Sequence, residues 1–299
     1  MTATLDDVVD APRTAPTRSR AAGRRRVDGT RIVAWCAIVV IGLFGLLPIY
    51  WMLVTALQPA TEIFVFPPRL FPQTFTLEHF AALAGDPQLL RNLLNSILVS
   101  AATTLLTLVV ATYMAYSFSK FTYRGRKSLM YLVLASQMFP HALLLVSLYL
   151  IFNALGLLDT YLGLVLSFTA FTMPLCVWML KGVFDTIPDS IIESAKVDGA
   201  GPFTIIHRIV TPIAAPGVVA AGLFAFIRGW NDFIFALTLV GREKQTLPPG
   251  LVNAFAGEFQ NQWSVLMAAS FVVSLPVIVG FIALQRYLVA GIAGGAIKG

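Results

Sequence analysis

Residues 181–212 read KGVFDTIPDSIIESAKVDGAGPFTIIHRIVTP and connect two long apolar runs. This connection carries the signals of a short helix of its own. Pro188 suits a first helical turn, and Asp189 places a negative charge where the helix dipole favours it. Helical spacing puts three apolar side chains on one side: Ile191, Ile192 and Ala195. Gly199 predicts the C-terminal stop.

A second short helix is predicted to begin at Pro202 and to end near Pro212, with Phe203, Ile206 and Val210 on one face. Each helix has about ten residues, fewer than the ~12–15 that give marginal stability alone in water. Both apolar faces therefore need cover, either from this protein's own helix ends or from a partner protein. Composition alone favours neither source.

The composition of the whole chain indicates that lipid is its solvent. Of 299 residues, 57% are hydrophobic and 12% are charged, whereas a soluble domain has about 25% charged residues. These proportions exclude an ordinary cytosolic enzyme, a disordered protein and a disulfide-rich secreted scaffold. Cys36 and Cys176 both lie in apolar runs, so no disulfide framework is predicted.

Six segments have the roughly 20 apolar residues with which a helix crosses a bilayer. They are 32–54, 93–118, 129–151, 162–180, 213–240 and 265–284. In lipid every backbone polar group needs an internal partner, which a helix supplies locally. The predicted fold is therefore all-α, a polytopic bundle of about six transmembrane helices.

The distribution of Lys and Arg predicts the orientation. Sixteen basic residues lie in the 1–31 tail, in the 119–128 and 181–212 connections and at the C-terminal end, against four in the alternate connections. By the positive-inside rule, both termini and the 181–212 connection face the cytoplasm. The tail is rich in Ala, Thr, Pro and Arg and is predicted to be disordered, ahead of a membrane domain over 32–299.

Several chemical motifs are missing from the sequence. It contains no G-x-x-x-x-G-K-[ST] loop to cradle ATP phosphates, no H-E-x-x-H, no zinc-type Cys/His spacing and no G-x-S-x-G. We therefore expect no cofactor or metal bound by this chain and no enzymatic activity of its own.

The connection resembles the EAA loop of bacterial ABC importer permeases. The matching residues are Glu193, Ser194, Ala195, Asp198, Gly199, Ile209 and Pro212. Ser194 and Thr211 replace the Ala and Leu of the family pattern, for which we expect weaker packing at most. Other stretches resemble the carbohydrate permeases related to the smaller permease subunit of the maltose transporter: 47–57, 91–96, 155–160, 230–233, 246–248 and 285–299.

This resemblance implies a type I ABC importer permease fold in the bacterial plasma membrane. The chain would form half of a pathway for an oligosaccharide, a disaccharide or a glycerol-phosphate-type derivative. The implied partners are a second related permease, two ATPase subunits that bind ATP and Mg²⁺, and an extracytoplasmic sugar-binding protein. Glu193 and Asp198 would make polar contacts to the ATPase, while Ala195 and Gly199 would allow close backbone approach.

The fifth apolar segment contains a second candidate site, formed by Arg228, Trp230, Asn231 and Asp232. Intramembrane charges cost at least ~2.5–3.5 kcal/mol and normally face a bundle interior or a wet cavity. Arg228 and Asp232 are four apart and able to pair on one helix face. Two interpretations stay open: a structural pair that fixes the helix against a partner subunit, or a lining of the sugar path with Trp230 stacked on a sugar ring.

Two rival functions belong to other classes. An ion-coupled secondary transporter would show internal repeats and midplane acids, whereas Asp232 is the only acid clearly inside a span. A membrane-embedded enzyme would need a cluster of nucleophile, base or metal ligands, which the sequence does not show.

Overall fold

A computed structural model describes residues 29–256 and 262–296, and residues 1–28 of the predicted tail lie outside this range. The helices are α1 Gly29–Ala56, α2 Glu78–Ala84, α3 Pro87–Lys120, α4 Arg126–Ala135, α5 His141–Ala154, α6 Tyr161–Phe184, α7 Asp189–Val197, α8 Pro202–Thr204, α9 Thr211–Ile213, α10 Ala215–Trp230, α11 Ile234–Leu239, α12 Leu247–Phe255 and α13 Trp263–Ala296. A π-helical turn, Ile205–Val210, joins α8 to α9.

Four of these helices, α1, α3, α6 and α13, are each long and apolar enough to cross a membrane. They correspond to the first, second, fourth and sixth predicted segments. The number of spans within the described residues rises to as many as six if each of two bent helix pairs counts as one. The boundary between two compact units of the chain lies between Leu47 and Pro48, within α1.

The third predicted span is not one continuous helix. The segment from α4 to Met138 and the helix α5 meet at 99°. The break lies at Phe139 and Pro140, and Phe139 is extended with ψ 127°. Proline lacks a backbone N–H and disfavours helical geometry in the residue before it, so the helix stops here.

The fifth predicted span also differs from expectation. Its helix α10 ends at Trp230, and the chain resumes helical structure only in α11. At its start, Pro202–Ile213 meets α10 at 86°. Asn231 and Asp232 therefore lie at an interruption of the span between α10 and α11.

The centre of residues 48–299 is built on α3, which packs against α6 and α10, while α10 also packs against α13. Small residues allow the close approach of these helices. A Cβ added to Gly229 of α10 would lie 3.3 Å from the Cα of Ser100 in α3. Such contacts are how helices associate in membranes, where lipid removes the hydrophobic driving force.

Asp159 ties the turn between α5 and α6 to the segment after α11. Its Oδ1 accepts from the N–H of Gly241 at 3.0 Å, and its own N–H donates to the carbonyl of Leu239 at 2.8 Å. Lys244 Nζ donates to Asp159 Oδ2 at 2.9 Å and to its carbonyl at 2.6 Å. Asp159 has a φ of +52°, a left-handed conformation in which Asp and Asn are enriched. The hydrogen bond from Lys244, together with that from Gly241, lowers the pKa of Asp159.

We predict a graded loss of stability at this position. Asp159→Asn keeps an acceptor and tolerates the left-handed backbone but loses the ion pair, which is worth up to about 1 kcal/mol at an exposed site. Asp159→Ala loses the acceptor and the ion pair, and it adds about 1–2 kcal/mol of backbone strain. The midpoint temperature of the detergent-solubilised protein should therefore fall in the order wild type, Asn, Ala. Equal midpoints for the three proteins would contradict this account.

Wild type and Asp159→Asn also test how the stabilisation by the Asp159 charge depends on pH. A lowered folded-state pKa means that the charge contribution is complete above the ordinary carboxylate pKa of about 3.9. It is lost as the pH falls through the lower folded-state pKa. The difference in midpoint between wild type and Asp159→Asn should therefore be constant near neutral pH and shrink only below about pH 4.

Candidate functional site

The first predicted helix of the 181–212 connection forms as α7. Gly199 follows it with a φ of +82°, so the predicted stop is confirmed. The N–H of Gly199 donates to the carbonyl of Lys196 at 3.0 Å, and that of Ala200 donates to the carbonyl of Ala195 at 2.9 Å. These two bonds form the glycine-ended motif that satisfies the last helical carbonyls. Pro188 precedes the helix instead of lying in its first turn.

On each of the two predicted helices of the connection, fewer apolar side chains are buried than the sequence predicts. Ile192 and Ala195 are buried, but Ile191 is 38% exposed. In the second helix Ile206 and Val210 are buried, whereas Phe203 is 72% exposed. Phe203 lies in α8, before the π-helical turn, whereas Ile206 and Val210 lie within that turn.

The buried apolar side chains of these two helices pack against other helices of the same chain. Their buried residues belong to one core cluster with Leu180 and Phe184 of α6 and with Tyr116 of α3. The inner faces are thus covered by this protein's own helix ends. Val197, at 87% exposed, and Phe203 remain as apolar side chains on the outer surface.

The residues that match the EAA pattern divide between the two surfaces. Ala195 is buried and Ile209 is half-buried, whereas the others are exposed: Glu193, Ser194, Asp198, Gly199 and Pro212. In the described part of the chain, no side-chain hydrogen bond or ion pair involves Glu193 or Asp198. The close approach expected of Ala195 is thus made to this chain's own helices, and the polar outer surface is free for other contacts.

Lys120 joins α3 to the start of α7. Its Nζ donates to the carbonyl of Ile187 at 2.6 Å and to Asp189 Oδ1 at 2.7 Å. The Lys120 side chain is only 6% exposed, while that of Asp189 is 77% exposed. The hydrogen bond from Lys120, and then its charge, lowers the pKa of Asp189. A buried ammonium must be satisfied, so this contact fixes where α7 begins.

Asp185, which directly follows α6, connects that helix to the end of α3. Its Oδ1 accepts from Ser119 Oγ at 2.7 Å, and its Oδ2 accepts from Lys181 Nζ at 2.5 Å. Ser119 and Lys120 are the last two residues of α3. We call the group of Ser119, Lys120, Lys181, Asp185 and Asp189 the polar junction. It connects the ends of α3 and α6 with the first turn of α7.

A second contact joins α3 to the π-helical turn. Tyr113 OH lies 2.6 Å from His207 Nε2. The Tyr113 ring also meets that of Phe203 edge to face, with centroids 5.9 Å apart. His207 is exposed and has a partner on the membrane helix α3. Both halves of the connection are attached to α3.

Near its N-terminal end, α3 makes hydrogen bonds to the backbone of the segment that leads into α12. Asn95 Nδ2 donates to the carbonyls of Glu243 and Gln245, each at 2.9 Å. The N–H of Leu247 donates to Ser96 Oγ at 2.6 Å. The stretch at 91–96 that resembles the carbohydrate permeases thus has a structural role. One helix of 34 residues links the polar junction to this opposite end.

The second candidate site does not contain the predicted helix-face pair. Asp232 lies beyond the end of α10, and its Oδ1 accepts from the N–H groups of Phe235 at 3.1 Å and Ala236 at 3.2 Å. It therefore caps α11, whereas Arg228 is exposed near the end of α10. Since helical geometry stops between them, the i,i+4 spacing no longer brings the two charges together.

Trp230 does not present its ring to a pathway within this chain. It is 2% exposed, stacks on Phe226 with centroids 5.6 Å apart and packs with Leu247 and Leu251 of α12. Asn231 is exposed. Of the four predicted residues, only Arg228 and Asn231 are available for contacts outside the chain.

Sequence reasoning missed three residues that organise the site: Lys120, Tyr113 and Asp185. Each contacts a residue that lies far along the chain or on another helix, and none belongs to a recognisable motif. Lys120 meets partners 67 and 69 positions away. Within 29–256 and 262–296, no group of three or more His, Cys, Asp or Glu side chains is arranged to hold a metal ion.

Known proteins with similar sequences are membrane transport components. The chain is 34% identical over 274 residues to the inner membrane ABC transporter permease protein YcjP of Escherichia coli, covering 90% of this chain and 97% of that protein. It is 32% identical over 273 residues to the trehalose transport system permease protein SugB of Mycobacterium tuberculosis, covering 90% and 98%.

The fold has a match among solved structures. A chain in the crystal structure of a bacterial ABC transporter involved in the import of the acidic polysaccharide alginate superposes with a TM-score of 0.73 at 22% identity. The match covers 92% of this chain and 100% of that one. The predicted all-α, multi-pass importer fold is therefore confirmed. Residues 104–294 match the family described as "binding-protein-dependent transport system inner membrane component", and the chain belongs to that family.

Proposed function

We propose that the chain is a permease subunit of an ATP-driven importer of a sugar or sugar derivative. Relatives named for the transport of trehalose, diacetylchitobiose and sulfoquinovosyl glycerol support this substrate class. The chain would form half of the pathway beside a second related permease. Two ATPase subunits would bind ATP and Mg²⁺, and an extracytoplasmic binding protein would deliver the sugar. The chain itself would catalyse no reaction.

The orientation belongs to the same proposal. The excess of Lys and Arg on one set of connections supports a cytoplasmic position for both termini and for the 181–212 connection. The polar junction would then lie at the cytoplasmic boundary of the membrane. Asn95 and Ser96 would lie at the opposite, extracytoplasmic end of α3.

The observation that carries the proposal is the two-sided character of α7. Its inner face is buried in this chain's core, and its outer face exposes Val197 beside Glu193 and Asp198, which have no side-chain partner in the part of the chain that the structure describes. An apolar side chain with polar neighbours is the surface that a partner covers at a protein interface. The outer face thus receives the ATPase, while Lys120 passes its displacement to α3. Movement of α3 against its neighbours would then change access to the pathway.

Val197 tests the contact with the ATPase. It is almost fully exposed, so Val197→Asp should leave the fold of the isolated chain unchanged. Burial of the new charge at the interface should weaken ATPase association about tenfold or more. Val197→Thr is a matched control of similar shape without charge and should retain most binding. The measurement is the amount of ATPase that co-purifies with each variant at equal permease. Full retention by Val197→Asp would contradict the proposed interface.

Lys120 tests the transmission step. Lys120→Met removes the hydrogen bonds to Ile187 and Asp189 and should leave α7 in place on the ATPase but loosely joined to α3. Sugar uptake per ATP hydrolysed, measured in proteoliposomes with the complete transporter, should then fall about tenfold. Lys120→Arg keeps the charge and donors and should preserve much of the ratio. A wild-type ratio in Lys120→Met, in a fully assembled complex, would rule out this role.

A further inference from the structure

A groove beside the polar junction combines positive charge with apolar surface. It has a volume of about 260 Å³ and lies between the end of α3, the helix α4 and the end of α6. Its lining includes three cations and three large apolar or aromatic side chains: Arg126, Lys127, Lys181, Met130, Tyr131 and Trp178. None of the coupling contacts described above uses Arg126, Lys127, Tyr131 or Trp178.

The apolar part of the groove is suited to the boundary between membrane and water. Met130 is buried and forms part of its floor, whereas Trp178 is 55% and Tyr131 69% exposed. Trp and Tyr are enriched where the acyl region of a bilayer meets the headgroups, because each has an apolar ring and a polar atom. The two exposed rings therefore offer a surface to a lipid chain and its glycerol region.

Among the described residues, the cations that line the groove outnumber the ion pairs they make. Lys181 is paired with Asp185, which also accepts from Ser119. Arg126 donates from one guanidinium nitrogen to the carbonyl of Phe121 at 2.8 Å and pairs with no carboxylate of the described part of the chain. Among the described residues, Lys127 makes no ion pair. Within 29–256 and 262–296, two cations at this one small site thus have no counter-ion.

The first turn of α4 adds to the attraction for an anion. Gly125 occupies the N-cap of this ten-residue helix, and no side chain caps the helix there. A second cleft of about 350 Å³ adjoins the groove at this point, sharing Arg126 and Lys127 with it. A phosphate at the shared cations would also lie at the positive end of the α4 dipole.

We propose that this groove binds an anionic phospholipid. The phosphate would contact Arg126 and Lys127, and an acyl chain would lie along Trp178 and Tyr131. Charge complementarity selects this occupant over an apolar protein helix, which would leave two cations uncompensated at the edge of the hydrocarbon. The proposal does not depend on sugar transport, and only its assignment to the cytoplasmic leaflet rests on the proposed orientation.

Trp178 provides a local probe of occupancy. The full-length protein is reconstituted into nanodiscs that contain either dibrominated phosphatidylglycerol or dibrominated phosphatidylcholine at the same mole fraction. The quenching that belongs to Trp178 is the difference between the wild-type protein and Trp178→Phe. We expect this quenching to be stronger with the anionic lipid. The apparent preference for that lipid should fall about fivefold for each cation removed.

Three variants make the result specific. Lys127→Gln removes a cation that has no ion pair to lose, and Arg126→Gln/Lys127→Gln removes both. Arg286→Gln, on α13, removes an exposed cation that does not line the groove. The proposal requires the preference to weaken in the first two and to persist in Arg286→Gln. Equal quenching by the two lipids in wild type, or a preference that survives in the double variant, would overturn it. Neither result bears on the proposed transport function, since no ATPase or sugar is present.

Discussion

The buried ammonium of Lys120 is the contact on which the proposed coupling depends. It satisfies the carbonyl of Ile187 and the carboxylate of Asp189, so the chain cannot move α7 away from α3 without exposing or orphaning a charge. The core cluster beneath α7 and the π-helical turn reinforces this attachment through apolar packing. The connection is therefore a folded extension of the membrane helices, and a force applied to its outer face reaches α3 directly.

The continuity of α3 gives that force a defined path. The helix runs unbroken from Pro87 to Lys120, whereas the third and fifth predicted spans are broken. At one end it holds α7, and at the other Asn95 and Ser96 hold the backbone before α12. Displacement of the polar junction would thus also move the opposite end of α3. The breaks at Phe139 and after Trp230 divide the third and fifth spans into shorter helices.

The sequence predicted those features that depend on local chemistry. Four spans follow from apolar length, and the end of α7 follows from the need for glycine at a φ of +82°. Features that depend on distant residues were missed or misjudged. Trp230 is buried by side chains of α12, which nothing near position 230 reveals, and Lys120 finds its partners 67 and 69 positions away. The third segment is predicted as one continuous span, whereas its two helices meet at 99° at Phe139 and Pro140.

The central claim, that α7 moves with α3 as one body, is tested by a distance across the polar junction. Spin labels at Val109→Cys on α3 and Lys196→Cys on α7, both exposed, report the distance between the two helices in the complete transporter once the exposed Cys36 is replaced by Ser. The account predicts one distance distribution that ATP does not shift, and a broader one when Lys120 is Met. A wild-type distance that changes with ATP by more than the width of its distribution would contradict the claim.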